Sequence, residues 1–292
     1  MMGTYKLIGR ILFALILFVF GSYIVAAQQP ISGEWKADHK ENQPNKIQIS
    51  FDVKYEKNGR TNRNQNSSTY DFNDLSGLSL QQTQGGDVSF SIKREAGSID
   101  FEGRFENGRG SGKFTFNPDP SYVQGMISRG FNFKDEELLT AAHLGLSLSY
   151  TDSLLSADFG KLETQDLFKA HVFKVTPKFL TEMRATGFPE LGMEEVVKAK
   201  IFKIDPEYVR NIKDAGFGVE NFENLVKYKI FKVTPEYLNE LRNEGLTSLS
   251  TEDVVQFRIF RIEAKDIRQA RAEDPDITAE KIVKKRISGW GK

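Results

Sequence analysis

The sequence of 292 residues contains no cysteine and only three histidines, His39, His143 and His171. Without cysteine the chain can form no disulfide bond and no thiolate metal site, and it can carry no lipid on a cysteine. The three histidines lie far apart in the sequence, which does not favour a shared metal site. We therefore expect no cofactor and no metal, and we expect packing alone to stabilise the fold.

The chain also has no excess of charge of either sign, since 40 Lys and Arg residues balance 40 Asp and Glu residues. Such a balance gives the chain no bulk attraction to nucleic acid or to an anionic membrane. Apolar residues make up 39% of the sequence, which is typical of a folded protein. We expect a folded protein without a nucleic-acid partner.

The first 27 residues have the three parts of a secretory signal peptide. Lys6 and Arg10 precede the apolar run ILFALILFVF, and small residues follow as far as Ala27. We predict cleavage after Ala27 and export to the periplasm or the extracellular space. The alternative is an uncleaved anchor, because residues 11–27 approach the shortest length that spans a bilayer, about 17 residues. That anchor is the only membrane contact that the sequence predicts.

Residues 28–117 alternate apolar and polar side chains with the period of β-strands. The predicted strands are 33–37, 46–55, 68–72, 88–94, 98–105 and 110–116. Asn107-Gly108 has the composition of a tight turn between the last two strands. We predict an antiparallel β domain with one apolar face and one polar face, in which the polar stretch 58–68 is a mobile loop.

Two motifs of the β domain admit a functional interpretation that the residues do not favour. GRGSGK (108–113) is similar to a phosphate loop, but its spacing is wrong and Phe114 replaces the Ser or Thr that holds magnesium. Trp35 has the chemistry to stack on a sugar ring, although a core aromatic is the more common role. Carboxylates are numerous without one isolated acid–base pair, and we predict that the protein is not an enzyme.

Three consecutive blocks of 29 residues occupy residues 175–261. They begin VTPKFLTEMRATGF, IDPEYVRNIKDAGF and VTPEYLNELRNEGL, and they end on KIFK, KIFK and RIFR. In each block an N-cap residue followed by a proline predicts the start of a first helix: Thr176, Asp205 and Thr234. A glycine predicts the end of that helix: Gly187, Gly216 and Gly245. Weaker copies on both sides extend the array to Trp290.

The predicted fold is therefore α+β, with a signal peptide (1–27), an antiparallel β domain (28–117) and a helical domain (118–292). The helical domain is predicted to be an α-hairpin solenoid of about six 29-residue repeats. Aromatic and aliphatic columns recur once per block, and we expect them in the core between repeats: Tyr150, Phe179, Tyr208, Tyr237; Phe173, Phe202, Phe231, Phe260; Val172, Ile201, Ile230, Ile259. If Phe202 is buried, its replacement by Ala costs roughly 3–5 kcal/mol.

Two further columns are basic in block after block. After His171 they contain Lys174, Lys200, Lys203, Lys229, Lys232, Arg258 and Arg261. Equivalent positions of a stacked array form rows, so these residues predict a basic ladder along one edge. One interpretation is structural, with the cations satisfying helix C-termini and pairing with Glu182, Glu207, Glu236 and Glu240. The other is functional, with the ladder binding an anionic envelope polymer or an acidic protein.

The run FSIKREAGSIDFEGRFENGRGSGKFTFNPDPSYVQGMISRGF (90–131), continued by the VTPEYLNELRNEGL blocks, resembles exported bacterial proteins of unassigned function. It is also similar to the extracytoplasmic part of some membrane metallopeptidases of the beta-lactam-sensor type. The resemblance covers nearly all of the chain after residue 27. It implies export and a sensing or scaffold role, but no protease, because the sequence has no HExxH motif.

The predicted function is that of a non-enzymatic exported interaction or sensing module, which presents its helical repeats to a protein or an envelope polymer. The alternative is a small-ligand site or a hydrolase site in the β domain. A deep pocket with convergent polar groups would favour that alternative.

Overall fold

A computed structural model describes residues 30–40, 42–57, 60–217 and 219–289. The fold is α+β, as predicted, with a six-stranded antiparallel sheet followed by twelve α-helices in the described ranges. The predicted signal peptide, its cleavage site and Trp290 lie outside those ranges. No helix within them is both long enough and apolar enough to cross a bilayer.

All six predicted strands are present, with longer bounds than the sequence suggests. They are β1 (Ile31–Asp38), β2 (Lys46–Lys57), β3 (Arg60–Asp71), β4 (Gly85–Arg94), β5 (Gly97–Glu106) and β6 (Arg109–Pro118). Their order across the sheet is β3-β2-β1-β6-β5-β4, and every neighbouring pair is antiparallel. Asn107 and Gly108 have φ of 48° and 80°, which confirms the predicted tight turn before β6.

The prediction of a mobile loop at 58–68 is wrong for its described part, because β3 begins at Arg60. β2 and β3 pair continuously down to Lys57 and Arg60. Asn58-Gly59, between them and outside the described residues, is a sequence typical of two-residue hairpin turns. β3 lies at the sheet edge, where backbone pairing tolerates a polar sequence better than it does in a central strand.

The apolar face of the sheet is filled by aromatic side chains around Trp35, which is only 1% exposed. Its indole Nε1 donates to the Glu102 carbonyl at 3.1 Å. A Cβ atom at Gly103 or Gly110 would lie 2.8 Å from the indole ring, so these glycines make room for it. Trp35 is therefore a core residue and not a sugar platform, and residues 109–113 of GRGSGK form the start of β6 beneath it.

The chain divides into two compact units. The first ends at Gly145, and the second begins at Leu146. The predicted boundary at 117/118 falls at the last residue of β6, two residues before the first helix begins. Two helices, α1 (Pro120–Ser128) and α2 (Asp135–Leu144), belong to the first unit. α2 contacts β5 and β6, and its buried side chains include Leu138 and Ala141.

The second unit contains ten helices among its described residues. They are α3 (Leu148–Leu155), α4 (Thr164–Val172), α5 (Pro177–Arg184), α6 (Met193–Phe202), α7 (Pro206–Asp214), α8 (Phe222–Ile230), α9 (Pro235–Asn243), α10 (Thr251–Ile259), α11 (Ala264–Glu273) and α12 (Ala279–Ser288). Each even-numbered helix from α4 to α10 contacts the next even-numbered helix, up to α12. These even-numbered helices are the second helices of the blocks, and the odd-numbered ones are the first helices.

The predicted signals at both ends of the first helices are confirmed. The side chains of Thr176, Asp205 and Thr234 accept the backbone N–H three residues later, and each is followed by proline. Gly187, Gly216 and Gly245 have φ of 101°, 84° and 78°, the left-handed region that glycine enters most easily. On the first helices, one fully buried side chain recurs in each block: Leu154, Met183, Ile212 and Leu241.

Candidate functional site

The second helices α4, α6, α8 and α10 all end in the same backbone motif. A residue just after each helix has a left-handed conformation, one position after α6 and two positions after the other three helices. The φ angles are 53° at Lys174, 54° at Lys203, 55° at Lys232 and 52° at Arg261. The next residue donates its N–H to the carbonyl five residues earlier, at 2.8 Å in all four cases. This is the Schellman motif, in which glycine is the usual left-handed residue.

A basic residue at this position is unfavourable for the backbone. A left-handed conformation costs a residue with a Cβ about 1–2 kcal/mol, and glycine avoids that cost. The same chain uses glycine for the left-handed residue after its first helices, at Gly187, Gly216 and Gly245. Backbone conformation therefore does not favour the Lys and Arg residues at the second-helix ends. Attraction between their charges and the helix C-terminus contributes about 0.3–1 kcal/mol, which offsets only part of the strain.

These four cations are exposed: Lys174, Lys203, Lys232 and Arg261. None of them forms an ion pair within the part of the chain that the structure describes. Of the four carboxylates that the structural interpretation offers them, Glu182 pairs with Lys178 instead, and Glu207, Glu236 and Glu240 pair with none of the four. The four charges are available to a partner of opposite charge.

The other three residues of the predicted ladder lie over aromatic rings and are half-buried. The ammonium groups of Lys200 and Lys229 lie 3.7 and 3.6 Å from the ring centres of Phe179 and Tyr208. The Arg258 guanidinium lies 4.7 Å from the ring centre of Tyr237. Each pair is a cation–π contact between the second and first helices of one block, so this column contributes to packing within the block.

The two basic columns are close enough to influence each other. Burial lowers the pKa of Lys229, and the charge of Lys203 in the preceding block lowers it further, whereas Asp205 opposes the shift. Arg258 Nε donates to the Phe231 carbonyl at the end of the preceding second helix, at 3.4 Å. Successive helix ends are therefore neighbours in space.

The expectation that the aliphatic column of the second helices lies in the core is wrong. Val172, Ile201, Ile230 and Ile259 are 52%, 47%, 53% and 50% exposed, and Phe173 and Phe231 are 37% exposed. In α6 the buried residues are Met193, Val196, Val197 and Ala199, and Ile201 lies in the last turn at the margin of this face. Phe202 is only half-buried, so the loss of 3–5 kcal/mol expected for Phe202→Ala is too large.

We call the ends of the second helices (residues 171–174, 200–203, 229–232 and 258–261) the helix-end edge. Six of the ten large apolar side chains that are exposed among the described residues belong to it. We call the exposed side chains of Val172, Ile201, Ile230 and Ile259 the aliphatic row. Ile287, 28 residues after Ile259 and 62% exposed, extends this row to α12. Scattered exposed apolar residues are ordinary, but a row of them on contacting helices is typical of an interaction surface.

Charges are separated along the second helices. Acidic residues occupy the first turns, including Glu194 and Glu195 in α6 and Glu252 and Asp253 in α10. Basic residues occupy the last turns and the left-handed positions. A chain with no net charge can therefore present a basic edge at one end of these helices.

Another basic column, which the sequence interpretation overlooked, connects the first helices of successive blocks. Arg184, Lys213, Arg242 and Arg271 donate to the carbonyls of Asp158, Thr186, Asp214 and Glu244, where the preceding first helices end. Their spacing of 29 residues was visible in the sequence. These cations satisfy carbonyl groups, which distinguishes them from the four exposed cations of the helix-end edge.

The first unit contains a cluster of side chains on β3 and α2 that resembles a catalytic arrangement. Ser68 Oγ lies 2.9 Å from His143 Nε2, and the Tyr70 hydroxyl lies 2.6 Å from His143 Nδ1. Burial lowers the pKa of His143 to about 4, which makes it a weak general base at neutral pH. Tyr70 is a neutral phenol whose pKa burial raises, so it lacks the carboxylate charge of a catalytic triad. The cluster connects α2 to β3 and is structural.

Neither a metal-binding cluster in the described ranges nor a similar protein indicates a different site. In the described ranges, no group of three or more His, Asp or Glu side chains is arranged to hold a metal ion. No protein family model matches the chain, and no curated protein sequence matches it either. The helix-end edge is therefore the candidate site, chosen on its own geometry.

Proposed function

We propose that the protein is a non-enzymatic exported module whose helix-end edge binds an anionic partner. The partner classes are those that the sequence predicts, an acidic protein or an anionic envelope polymer. The proposal includes export by the N-terminal segment and a sensing or scaffold role, which the resemblance to extracytoplasmic regions of beta-lactam-sensor-type proteins implies.

The proposal also includes stacking of about six blocks into a solenoid. Contacts between blocks recur at a fixed offset of 25 residues, as in the ion pairs Lys198–Glu223 and Lys227–Glu252 at 2.8 and 3.0 Å. The hydroxyls of Tyr150, Tyr208 and Tyr237 donate across the same offset to Val175, Val233 and Ile262. Repeated offsets support the rows that make the edge continuous.

One observation carries the proposal. Four exposed Lys and Arg side chains occupy left-handed positions that glycine would fill with less strain, and none has an ion pair in the described ranges. Non-glycine residues in sparsely populated conformations concentrate at functional sites. A binding role explains why this chain uses cations at these ends and glycine at the ends of its first helices.

The test compares two triple variants that remove the same charge. Lys203→Gln/Lys232→Gln/Arg261→Gln neutralises the edge, and Lys36→Gln/Lys93→Gln/Lys113→Gln neutralises three exposed lysines of the sheet. We expect the first variant to bind dextran sulfate about tenfold more weakly than the wild type at low salt, and the second to bind it normally. Equal losses in the two variants, or no loss in either, would contradict the proposal.

A further inference from the structure

We propose that the anionic partner of the helix-end edge is the surface of an anionic lipid bilayer. In this arrangement the Lys and Arg side chains meet the lipid headgroups, and the aliphatic row enters the boundary between headgroups and acyl chains. The inference rests on the anion-binding role proposed for the edge, and it assigns that role to a partner class other than the acidic protein and the envelope polymer that the sequence predicts.

The aliphatic row distinguishes a bilayer from a soluble polyanion. Val172, Ile201, Ile230 and Ile259 are each about half exposed, and each lies two residues before an exposed cation. A hydrated polymer neutralises the cations but offers these side chains no apolar environment. Their removal from water is favourable only against apolar material, and a bilayer supplies it directly beneath its charged surface.

The repetition of the edge favours a partner that is uniform along its surface. Nearly the same four residues, HVFK, KIFK, KIFK and RIFR, recur at successive helix ends. A folded protein presents different chemistry to each of four neighbouring sites, and it would select a different sequence at each. A bilayer presents the same headgroups and the same apolar layer to every site, so one repeated sequence fits it throughout.

The side chains also have the lengths that the interface requires. Lys and Arg carry their charges on long apolar stems, so the charge can remain among headgroups while the stem lies in apolar surroundings. Ile and Val are shorter and carry no charge. Each Lys or Arg near an anionic membrane favours binding about fivefold, and the four exposed cations together give substantial local attraction despite the zero net charge of the chain.

The absence of cysteine allows insertion to be measured at one site. Ile230→Cys labelled with the dye NBD places an environment-sensitive fluorophore in the aliphatic row, and Ile127→Cys is the matched control. Ile127 is 44% exposed and lies on α1, outside the edge. The protein is used as it is isolated, with the same N-terminus in every variant.

With vesicles of phosphatidylcholine and phosphatidylglycerol, we expect the label at Ile230→Cys to shift to the blue and brighten several-fold. We expect no such change at Ile127→Cys, and none at either site with vesicles of phosphatidylcholine alone. Equal changes at the two sites, or no change at Ile230→Cys with the anionic vesicles, would overturn the inference.

A second variant separates this inference from the proposed function. Ile201→Thr/Ile230→Thr/Ile259→Thr keeps the β-branched shape and all the cations, and the half-exposed sites tolerate a hydroxyl. We expect it to partition onto anionic vesicles at least about tenfold more weakly in a flotation assay, while its binding to dextran sulfate is unchanged.

The outcomes of these assays are distinct. Wild-type protein that binds dextran sulfate but not anionic vesicles would overturn the bilayer inference and leave the anion-binding function in place, with an acidic protein or polymer as its partner. Wild-type protein that binds neither would overturn both. Circular dichroism of each variant verifies that a loss of binding is not a loss of fold.

Discussion

Phe179 differs from the other three members of its column in having no hydroxyl. The tyrosines of the column, Tyr150 and Tyr237 among them, donate to backbone carbonyls of the following block at 2.8 and 2.7 Å. Burial raises the pKa of Tyr150 to about 12, so its hydroxyl remains a proton donor at neutral pH. At Phe179 the equivalent acceptor, the Ile204 carbonyl, receives no such bond.

We expect Phe179→Tyr to supply the missing hydrogen bond and to raise the free energy of unfolding by about 1 kcal/mol. The ring of the new tyrosine can still lie beneath Lys200, as Tyr208 lies beneath Lys229. Urea unfolding measures the change, and Tyr237→Phe is the reverse control, with an expected loss of similar size. A Phe179→Tyr protein less stable than the wild type would mean that the blocks do not stack equivalently.

The sequence shows which residues recur but not what each member of a column contacts. The columns of Lys200 and Lys203 are both basic in every block. Only the structure shows that Lys200 lies over Phe179 and that Lys203 is exposed. The distinction depends on the positive φ angle of Lys203. A glycine at that position would have indicated a left-handed conformation in the sequence, but a lysine does not. Residue type therefore predicted the ladder, while backbone conformation divides it into a packed column and an exposed one.

The docking of α2 on the sheet depends on a histidine that is neutral when buried. His143 on α2 meets Ser68 and Tyr70 on β3, and burial lowers its pKa from 6.5 to about 4. The unfolded chain takes up a proton below pH 6.5, whereas the folded chain does so only near pH 4. The stability of the fold is therefore complete above pH 6.5 and falls as the pH drops from 6.5 to 4.

We expect this histidine to contribute a loss of about 3 kcal/mol in the free energy of unfolding between pH 7 and pH 4. His143→Gln keeps a polar side chain at the site but cannot titrate. Urea unfolding of both proteins across this pH range measures the difference. Parallel pH profiles for the two proteins would show that His143 is not buried as described.

Helix boundaries were more predictable than helix faces. Proline, N-cap and glycine signals located the first helices, because each signal reports a local backbone requirement. The faces of the second helices depend on which neighbour each turn meets. A nine- or ten-residue helix has room for few buried positions, and in α6 Val196, Val197 and Ala199 already fill them. The pair Ile201-Phe202 therefore falls largely outside the core.

The strand error has a similar origin. The sequence of β3 from residue 60 onward has no apolar alternation, so side-chain periodicity could not reveal it. Its pairing with β2 is made by backbone groups that every residue carries. The dipeptide Asn58-Gly59 was the available signal, and the polar composition around it concealed it.

For the whole molecule, side-chain periodicity and the repeats predicted the α+β class, whereas the composition gave no indication of a charged surface. The balance of 40 cations and 40 anions averages over second helices that are acidic at the start and basic at the end. The exposed Lys and Arg residues and the aliphatic row meet only where those helices lie side by side. The helix-end edge is thus a property of the folded array and not of its composition.

The measurement to make first is the free energy of unfolding of Lys203→Gly/Lys232→Gly/Arg261→Gly. Glycine relieves about 1–2 kcal/mol of backbone strain at each site and costs about 0.5–1 kcal/mol in chain entropy, and lost attraction to the helix ends offsets part of the gain. If the cations serve a partner, the variant should be as stable as the wild type, or more stable by up to about 1 kcal/mol per site. A stability loss of more than about 1 kcal/mol would show that the cations stabilise the helix ends and would contradict a binding edge.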